Sequence, residues 1–179
     1  MEKRIIMPNA YVNNLRQPII FLAGPIRYAS DWQEKAIDYL ISNNKEIIIA
    51  NPRWDASQRI KNLAINGEPN CLKSKENQLR NYLTSQRPWE RHYIKIASRT
   101  GAVLFWLANA PGLMTRVELG QLMTEYKHDN STKFCVGGEK DFADIETIKD
   151  DLSEYAPDKR IFETLEETCS EAIRLAHQK

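Results

Sequence analysis

Residues 102–107 read AVLFWL, the most hydrophobic strand-like stretch of the chain. An unbroken apolar run of this length is typical of a strand buried on both faces, as in the middle of a parallel sheet. Four further short runs predict strands, at residues 19–23 (IIFLA), 46–50 (EIIIA), 133–137 (KFCVG) and 160–162 (RIF). The first segment therefore predicts the central strand of a five-stranded sheet.

Amphipathic segments separate these runs and predict helices. Ser30 or Asp31 caps a helix that ends near residue 44, and further helices begin near Pro88 and Thr115 or span about 143–154 and 163–177. This alternation predicts an α/β flavodoxin-like three-layer fold with a five-stranded parallel sheet in the order 2-1-3-4-5. The single domain is expected over residues 19–179, after a polar lead-in at 1–18 and with a long polar insertion or lid at 53–87.

The charges of the chain are almost balanced, because 25 Lys and Arg residues face 24 Asp and Glu residues, giving a net charge of about +1. This balance does not predict a nucleic-acid polymer as partner, although a few local arginines suffice for a small anion. Three widely spaced cysteines without a CxxC pair, and three histidines without an HExxH motif, predict neither a disulfide framework, nor a metal site, nor a metal cofactor.

The chain begins without a long apolar segment of the signal-peptide type, and its longest apolar run is far shorter than a membrane span. We therefore expect a cytoplasmic protein without a membrane anchor.

Ligands of parallel α/β sheets bind beyond the carboxyl ends of the strands, so the residues that follow each strand are the candidates for a site. Gly24 and Pro25 follow the first run, either as a plain turn or as a place where backbone amides approach a phosphate or a sugar hydroxyl. Asn51 and Arg53 follow the second run. Arg53, beside Trp54, either clamps an anion or is an ordinary surface arginine.

Glu118 follows the central strand, in the first turn of the helix that Thr115 is expected to open. A helix N-terminus stabilises a carboxylate anion, and Arg116 adds a positive charge nearby. An ionised, partly buried carboxylate suits nucleophilic attack on an anomeric carbon, but a glutamate that only complements the helix dipole is equally consistent with this position.

Six short motifs occur in the order found in the nucleoside 2-deoxyribosyltransferase-like family, which the chain resembles over about residues 19–138. They are FLAGPI at 21–26, DW at 31–32, NPR at 51–53, WE at 89–90, LFW at 104–106 and ELG at 118–120. The resemblance implies a flavodoxin-like fold, no cofactor, and a double-displacement reaction in which Glu118 attacks the anomeric carbon and expels the base. It also implies homo-oligomers, because relatives complete their sites across subunits.

The resemblance matches Gly24, Asp31 with Trp32, and Asn51 to Arg53 to residues of the family's site. Our substrate-binding candidates are Gly24, Pro25, Trp32, Asn51, Arg53, Glu90 and Arg116. Relatives often carry Ala-Asp just before the central strand, but this chain has SRTG at residues 98–101. The acid that protonates the leaving base must then come from elsewhere, and Asp31, ahead of Glu90, is our candidate.

Three functions remain open at this point. The first is transfer of 2-deoxyribose between nucleobases, and the second is hydrolysis of deoxynucleoside monophosphates or NAD-like substrates, with Arg27, Arg53 or Arg116 holding a phosphate. The third is a non-catalytic nucleotide-binding or sensing module, for which Glu118 is dispensable.

Overall fold

The computed structural model describes residues 3–69 and 81–178 of the chain. The strands are β1 (Ile5–Ile6), β2 (Ala10–Tyr11), β3 (Ile19–Ala23), β4 (Ile48–Ala50), β5 (Glu68–Pro69), β6 (Ala102–Leu107), β7 (Phe134–Gly138) and β8 (Ile161–Phe162). The helices are α1 (Trp32–Asn43), α2 (Gln58–Asn62), α3 (Asn81–Thr100), α4 (Leu113–His128), α5 (Ile145–Tyr155) and α6 (Leu165–His177).

The main sheet has six parallel strands in the order β1-β4-β3-β6-β7-β8. The apolar run at residues 102–107 forms β6, which lies between β3 and β7 and is buried at every position. The five predicted strands occupy the expected 2-1-3-4-5 order, so the flavodoxin-like three-layer α/β/α fold is confirmed.

A sixth strand, β1, comes from the lead-in at residues 1–18, so the predicted count of five strands is wrong. Ile5 pairs with Ile49 and Ile6 with Ala50, which adds β1 to the outer edge of β4. A run of two apolar residues is too short to reveal a strand by periodicity. Its pairing depends on the free edge that β4 provides.

The lead-in also fixes the position of α3. Trp89 donates from its indole N–H to the carbonyl of Ala10 (2.8 Å), and the Tyr93 hydroxyl donates to the same carbonyl (3.2 Å). The backbone N–H of Val12 in turn donates to the Tyr93 hydroxyl (2.9 Å). Because Trp89 and Tyr93 are fully buried, these bonds hold the middle of α3 against the lead-in.

Helices cover both faces of the sheet and form two apolar cores. Side chains of α3, α4 and α5 pack on one face, together with Val103, Phe105 and Leu107 of β6. Side chains of α1, α2 and α6 pack on the other face, together with Ala102, Leu104 and Trp106. The alternation along β6 explains why its sequence is apolar throughout.

Two helices begin earlier than their sequences predict. Helix α3 starts at Asn81, so Pro88 lies inside it, and α4 starts at Leu113 after Gly112 as N-cap. A proline is more common in a first turn, which made Pro88 a misleading signal.

Residues 70–80 of the predicted insertion, with Cys71, lie outside the described residues, and the part before them includes α2 and β5. Within the described ranges, no helix is long and apolar enough to cross a membrane.

Candidate active site

A cleft of about 480 Å³ lies at the carboxyl ends of β3 and β6. The turn after β3 forms one wall, the loop and first turns of α4 form another, and α3 closes the third side. The polar and charged side chains that line it are Arg27, Gln86, Arg87, Glu90, Thr115 and Glu118. The cleft therefore lies where the strand order reverses, which is the expected ligand position in an open parallel sheet.

Glu118 is 9% exposed and lies in the second turn of α4. The guanidinium of Arg87 donates a hydrogen bond from Nη1 to Oε1 of Glu118. No described residue donates a hydrogen bond to Oε2, so one oxygen of the carboxylate is held and the other is left for a ligand.

Arg87 joins Glu118 to a second carboxylate. The same Nη1 donates to Oε2 of Glu90 (2.7 Å), and Gln86 donates from Nε2 to Oε1 of Glu90 (3.0 Å). The Gln86 amide also donates to the carbonyl of Pro52 (3.0 Å), after β4. Since Glu118 and Glu90 bond one nitrogen, their nearest oxygens are separated by no more than two hydrogen-bond lengths.

The surroundings of Glu118 pull its pKa in opposite directions. Burial raises the pKa of the Glu118 carboxyl, the hydrogen bond and charge of Arg87 lower it, and the charge of Glu90 raises it further. The net result is a pKa raised above the ordinary value of a glutamate. Burial also works to lower the pKa of the Arg87 guanidinium, but the hydrogen bonds and charges of Glu118 and Glu90 outweigh it and raise that pKa.

The expected electrostatic partners of Glu118 are different from those observed. The helix dipole acts mainly on the first turn, and Glu118 lies one turn further along. The Arg116 side chain turns away from the cleft. It pairs with Asp144 (3.2 Å) and donates to the carbonyl of Ala143 (2.8 Å), and neither residue lines the cleft. The prediction that Arg116 binds substrate is therefore not supported by its position, and the nearby cation is Arg87.

Gly24 and Pro25, two of the predicted binding residues, line the cleft, and Trp32 supports them from the core side. The indole N–H of Trp32 donates to the Pro25 carbonyl (2.9 Å), while the Trp32 ring is only 1% exposed. A Cβ on Gly24 would lie 2.4 Å from the carbonyl oxygen of Trp106 and 2.6 Å from a ring carbon of Trp32. Gly24 is thus required for the close packing of the turn, and Trp32 is a core residue outside the cleft lining.

The remaining predicted residues form a separate polar group beside the cleft. Asp31 accepts from the backbone N–H of Glu34 (3.2 Å) as N-cap of α1 and lies 3.6 Å from Arg53. The Arg53 guanidinium also pairs with Asp55 (3.1 Å). The backbone N–H of Arg53 donates to the side-chain oxygen of Asn51 (3.1 Å). Asp31, Asn51 and Arg53 do not line the cleft, so of the two predicted acids only Glu90 is brought to Glu118.

Sequence reasoning missed Arg87 and Gln86 because both fall in the segment expected to be an insertion. One available signal was the three-residue spacing from Arg87 to Glu90, which suits an ion pair on a helix.

The buried thiols are poor nucleophiles, because burial raises the pKa of Cys135 well above its usual value and that of Cys169 to about 12. Among the described residues, no three His, Cys, Asp or Glu side chains are grouped to hold a metal ion.

The cleft thus combines a buried carboxylate, one oxygen of which accepts no hydrogen bond from the described residues, with a second carboxyl group and a shared cation. This combination suits displacement at an electrophilic carbon coupled to proton transfer. A scan against models of known protein families found no match, and a search of curated proteins found no similar sequence. The functional assignment therefore depends on the cleft and on the motif pattern of the chain.

Proposed function

We propose that this chain cleaves the N-glycosidic bond of a (deoxy)nucleoside-type substrate through a covalent glycosyl–Glu118 intermediate and transfers the 2-deoxyribosyl group to another nucleobase. The observation that carries this proposal is the sharing of Arg87 by Glu118 and Glu90 in a cleft at the sheet edge. The ordered motifs that resemble the nucleoside 2-deoxyribosyltransferase-like family agree with it.

In the first step, Oε2 of Glu118 attacks the anomeric carbon, since Oε1 is occupied by Arg87. The bond between the anomeric carbon and the base nitrogen breaks, and its electron pair stays on the base. The leaving base takes up a proton from water, and Glu90 is the carboxylate placed to relay it. It replaces Asp31 in this role, because Glu90 lines the cleft and Asp31 does not.

In the second step, a nitrogen of the incoming base attacks the same carbon, and the ester bond to Glu118 breaks. The proton of the incoming base leaves through Glu90 to water, so both carboxylates recover their starting forms. The hydrogen bond and charge of Arg87 lower the pKa of Glu118 and so offset part of the rise that burial causes, which favours the ionised nucleophile.

The spacing of the two carboxyl groups favours this double displacement over single attack by water. Retaining glycosidases hold their two carboxyl groups about 5–5.5 Å apart, whereas inverting enzymes leave about 6.5–9.5 Å for a water molecule. The shared nitrogen of Arg87 keeps the nearest oxygens of Glu118 and Glu90 within two hydrogen bonds of each other. This upper bound on the separation of the nearest oxygens agrees with the shorter class.

A base-exchange assay tests the proposal. Wild type, Glu118→Gln and the control Glu154→Gln, an exposed glutamate on α5, are incubated with 2′-deoxyinosine and adenine, and the products are separated by chromatography. We expect 2′-deoxyadenosine from wild type and Glu154→Gln but not from Glu118→Gln. Full exchange by Glu118→Gln would contradict the assignment of the nucleophile.

The same assay separates the other two functions. Free 2-deoxyribose in place of a new nucleoside would identify a hydrolase that uses Glu118 with water as acceptor. No product from wild type in this assay, together with nucleoside binding in a calorimetric titration, would identify a sensing module. Sedimentation at micromolar concentration tests the expected homo-oligomer, which a monomeric mass would contradict.

A further inference from the structure

A second cavity, of about 590 Å³, lies at the opposite end of the main sheet from the cleft. Most of the described residues that line it directly precede three neighbouring parallel strands, with Lys3 and Arg4 before β1, Lys45 and Glu46 before β4, and residues 15–18 before β3. The amino ends of these strands lie side by side, so segments that are distant in sequence surround one cavity. None of the described residues that line it also lines the cleft. We call this space the amino-end cavity.

The amino-end cavity is strongly cationic. Among the described residues that line it, the charged ones are the cations Lys3, Arg4, Arg16 and Lys45 and the single acid Glu46. Four positive side chains and one negative side chain give a formal charge of +3, whereas the whole chain carries only +1. A concave surface lined by one sign of charge focuses the electric field, so this end of the sheet attracts small anions.

The fold uses Arg4 to close the end of α1. The Arg4 guanidinium donates to the carbonyl of Asn44 (2.7 Å) and to that of Ile41 (3.4 Å), at the C-terminal end of the helix. A helix C-terminus carries about half a negative charge, so it offsets only part of one cation. The dipole of α1 therefore does not account for the other three cations.

The other three cations, Lys3, Arg16 and Lys45, are exposed. Lys3 donates at 3.5 Å to the neutral side chain of Asn66. The side chains of Arg16, Lys45 and Glu46 form no ion pair or hydrogen bond with a described residue. Even when Glu46 is counted in full against the three cations, about two positive charges are left, which suits a ligand with at least two negative charges.

Apolar side chains line the same cavity. Leu15 and Ile65 are half-buried and pack against the core, and Ile48 is buried. The half-buried side chains leave apolar surface that a ligand can cover. The volume of the cavity also falls in the range of about 300–1,000 Å³ that is typical of small-molecule sites. The amino-end cavity thus offers cations and apolar contact to one ligand.

We propose that the amino-end cavity is a binding site for a small organic oligophosphate. The Arg16 guanidinium binds two phosphate oxygens, while Lys3 and Lys45 act as point charges. A chain of phosphates suits cations that precede three different strands better than a single phosphate does, and the organic part of the ligand covers Leu15 and Ile65. Because the cavity and the cleft share no described lining residue, this ligand is distinct from the substrate, and the inference does not depend on the proposed reaction.

The test is a calorimetric titration of the full chain with ATP and, separately, with inorganic tripolyphosphate. The variants are Arg16→Gln/Lys45→Gln and a matched control, Arg91→Gln/Lys95→Gln, which removes one arginine and one lysine from exposed positions of α3 outside the amino-end cavity. We expect wild type and the control to bind each probe with the same affinity, and Arg16→Gln/Lys45→Gln to bind about tenfold more weakly or worse. ATP should bind more tightly than tripolyphosphate, because only ATP has an organic part that covers apolar surface.

Thermal unfolding supplies a second measurement and checks that each variant is folded. A ligand that binds only the folded chain stabilises it, and ATP at a hundred times its Kd should raise the Tm of wild type by about 5–10 °C. At the same ATP concentration, Arg16→Gln/Lys45→Gln should gain about half of this shift or less. The affinity of wild type should also weaken between 0.1 M and 1 M salt, where the Debye length shortens from about 10 to 3 Å.

The outcomes separate this site from the cleft. Lack of binding by wild type, affinity that is unchanged in Arg16→Gln/Lys45→Gln, or an equal loss in the control would overturn the proposed site. Equal affinity for ATP and tripolyphosphate would overturn the contact with Leu15 and Ile65. Glu118→Gln should bind both probes like wild type, so a failure of base exchange leaves this site intact, whereas loss of binding in Glu118→Gln would place the probes in the cleft and overturn it.

Discussion

Replacing Gly24 with alanine tests how closely the turn after β3 is packed. The new Cβ would lie 2.4 Å from the carbonyl oxygen of Trp106 and 2.6 Å from the ring of Trp32. The Trp106 oxygen belongs to the backbone of the central strand β6, so the strain is not relieved by a side-chain movement. Overpacking costs about 1–3 kcal/mol, and contact with backbone places Gly24→Ala at the upper end, near 3 kcal/mol.

For a chain of this size, each kcal/mol shifts Tm by about 2–4 °C, so Gly24→Ala should lower Tm by about 6–12 °C. The kcat/KM should also fall, because Gly24 and Pro25 form a wall of the cleft. The assays are urea denaturation, thermal unfolding and base exchange, each run beside wild type.

Gly120→Ala is the matched control for this change. A Cβ on Gly120 meets no atom within 4 Å, and the residue lies inside α4. Alanine is the better helix former there by about 1 kcal/mol, so Gly120→Ala should stabilise the protein slightly. A Gly24→Ala variant as stable as wild type would refute the packing argument. A Gly120→Ala variant whose Tm falls by the amount expected for Gly24→Ala would refute it as well.

Three further predictions concern the charged residues of the site. Arg87→Gln removes the hydrogen bond that lowers the pKa of Glu118, so the acid limb of the pH–kcat profile should move to higher pH. Arg87→Lys should move this limb less, and an unchanged profile in Arg87→Gln would contradict the pairing. Glu90→Gln should lower kcat by about 10²–10⁴. Asp31→Asn preserves a good N-cap and should leave kcat unchanged. The reverse result would restore Asp31 as the acid. Arg116→Gln should leave kcat/KM unchanged because its side chain turns away from the cleft, and a large loss would place it in contact with substrate.

Strands β3, β4, β6 and β7 were predictable from sequence because each is an apolar run buried at every position, a pattern that polar loops and amphipathic helices do not imitate. The edge strand at Ile5–Ile6 was not, since two residues carry no period and their pairing depends on Ile49 and Ala50, more than 40 positions away. Helix α3 was placed too late because Pro88 is typical of a first turn, yet seven residues of the helix precede it.

The site was predictable only in part, for a related reason. The position of Glu118 after the central strand follows from local sequence and from the geometry of parallel sheets. Its partner Arg87 is 31 positions earlier, and the contact exists only because α3 and α4 pack on the same face of β6. Asp31 was favoured as the acid because of its motif, but as N-cap of α1 it lies beside Arg53, outside the cleft.

The most direct test of the central claim is to trap the glycosyl–enzyme. Wild type and Glu118→Gln are incubated with 2′-deoxyinosine without an acceptor base, quenched in acid, digested, and examined by mass spectrometry. We predict that the wild-type peptide containing Glu118 gains the mass of one 2-deoxyribosyl group and that the Glu118→Gln peptide does not. Release of hypoxanthine with an adduct on a different residue, or an adduct that survives in Glu118→Gln, would contradict Glu118 as the nucleophile.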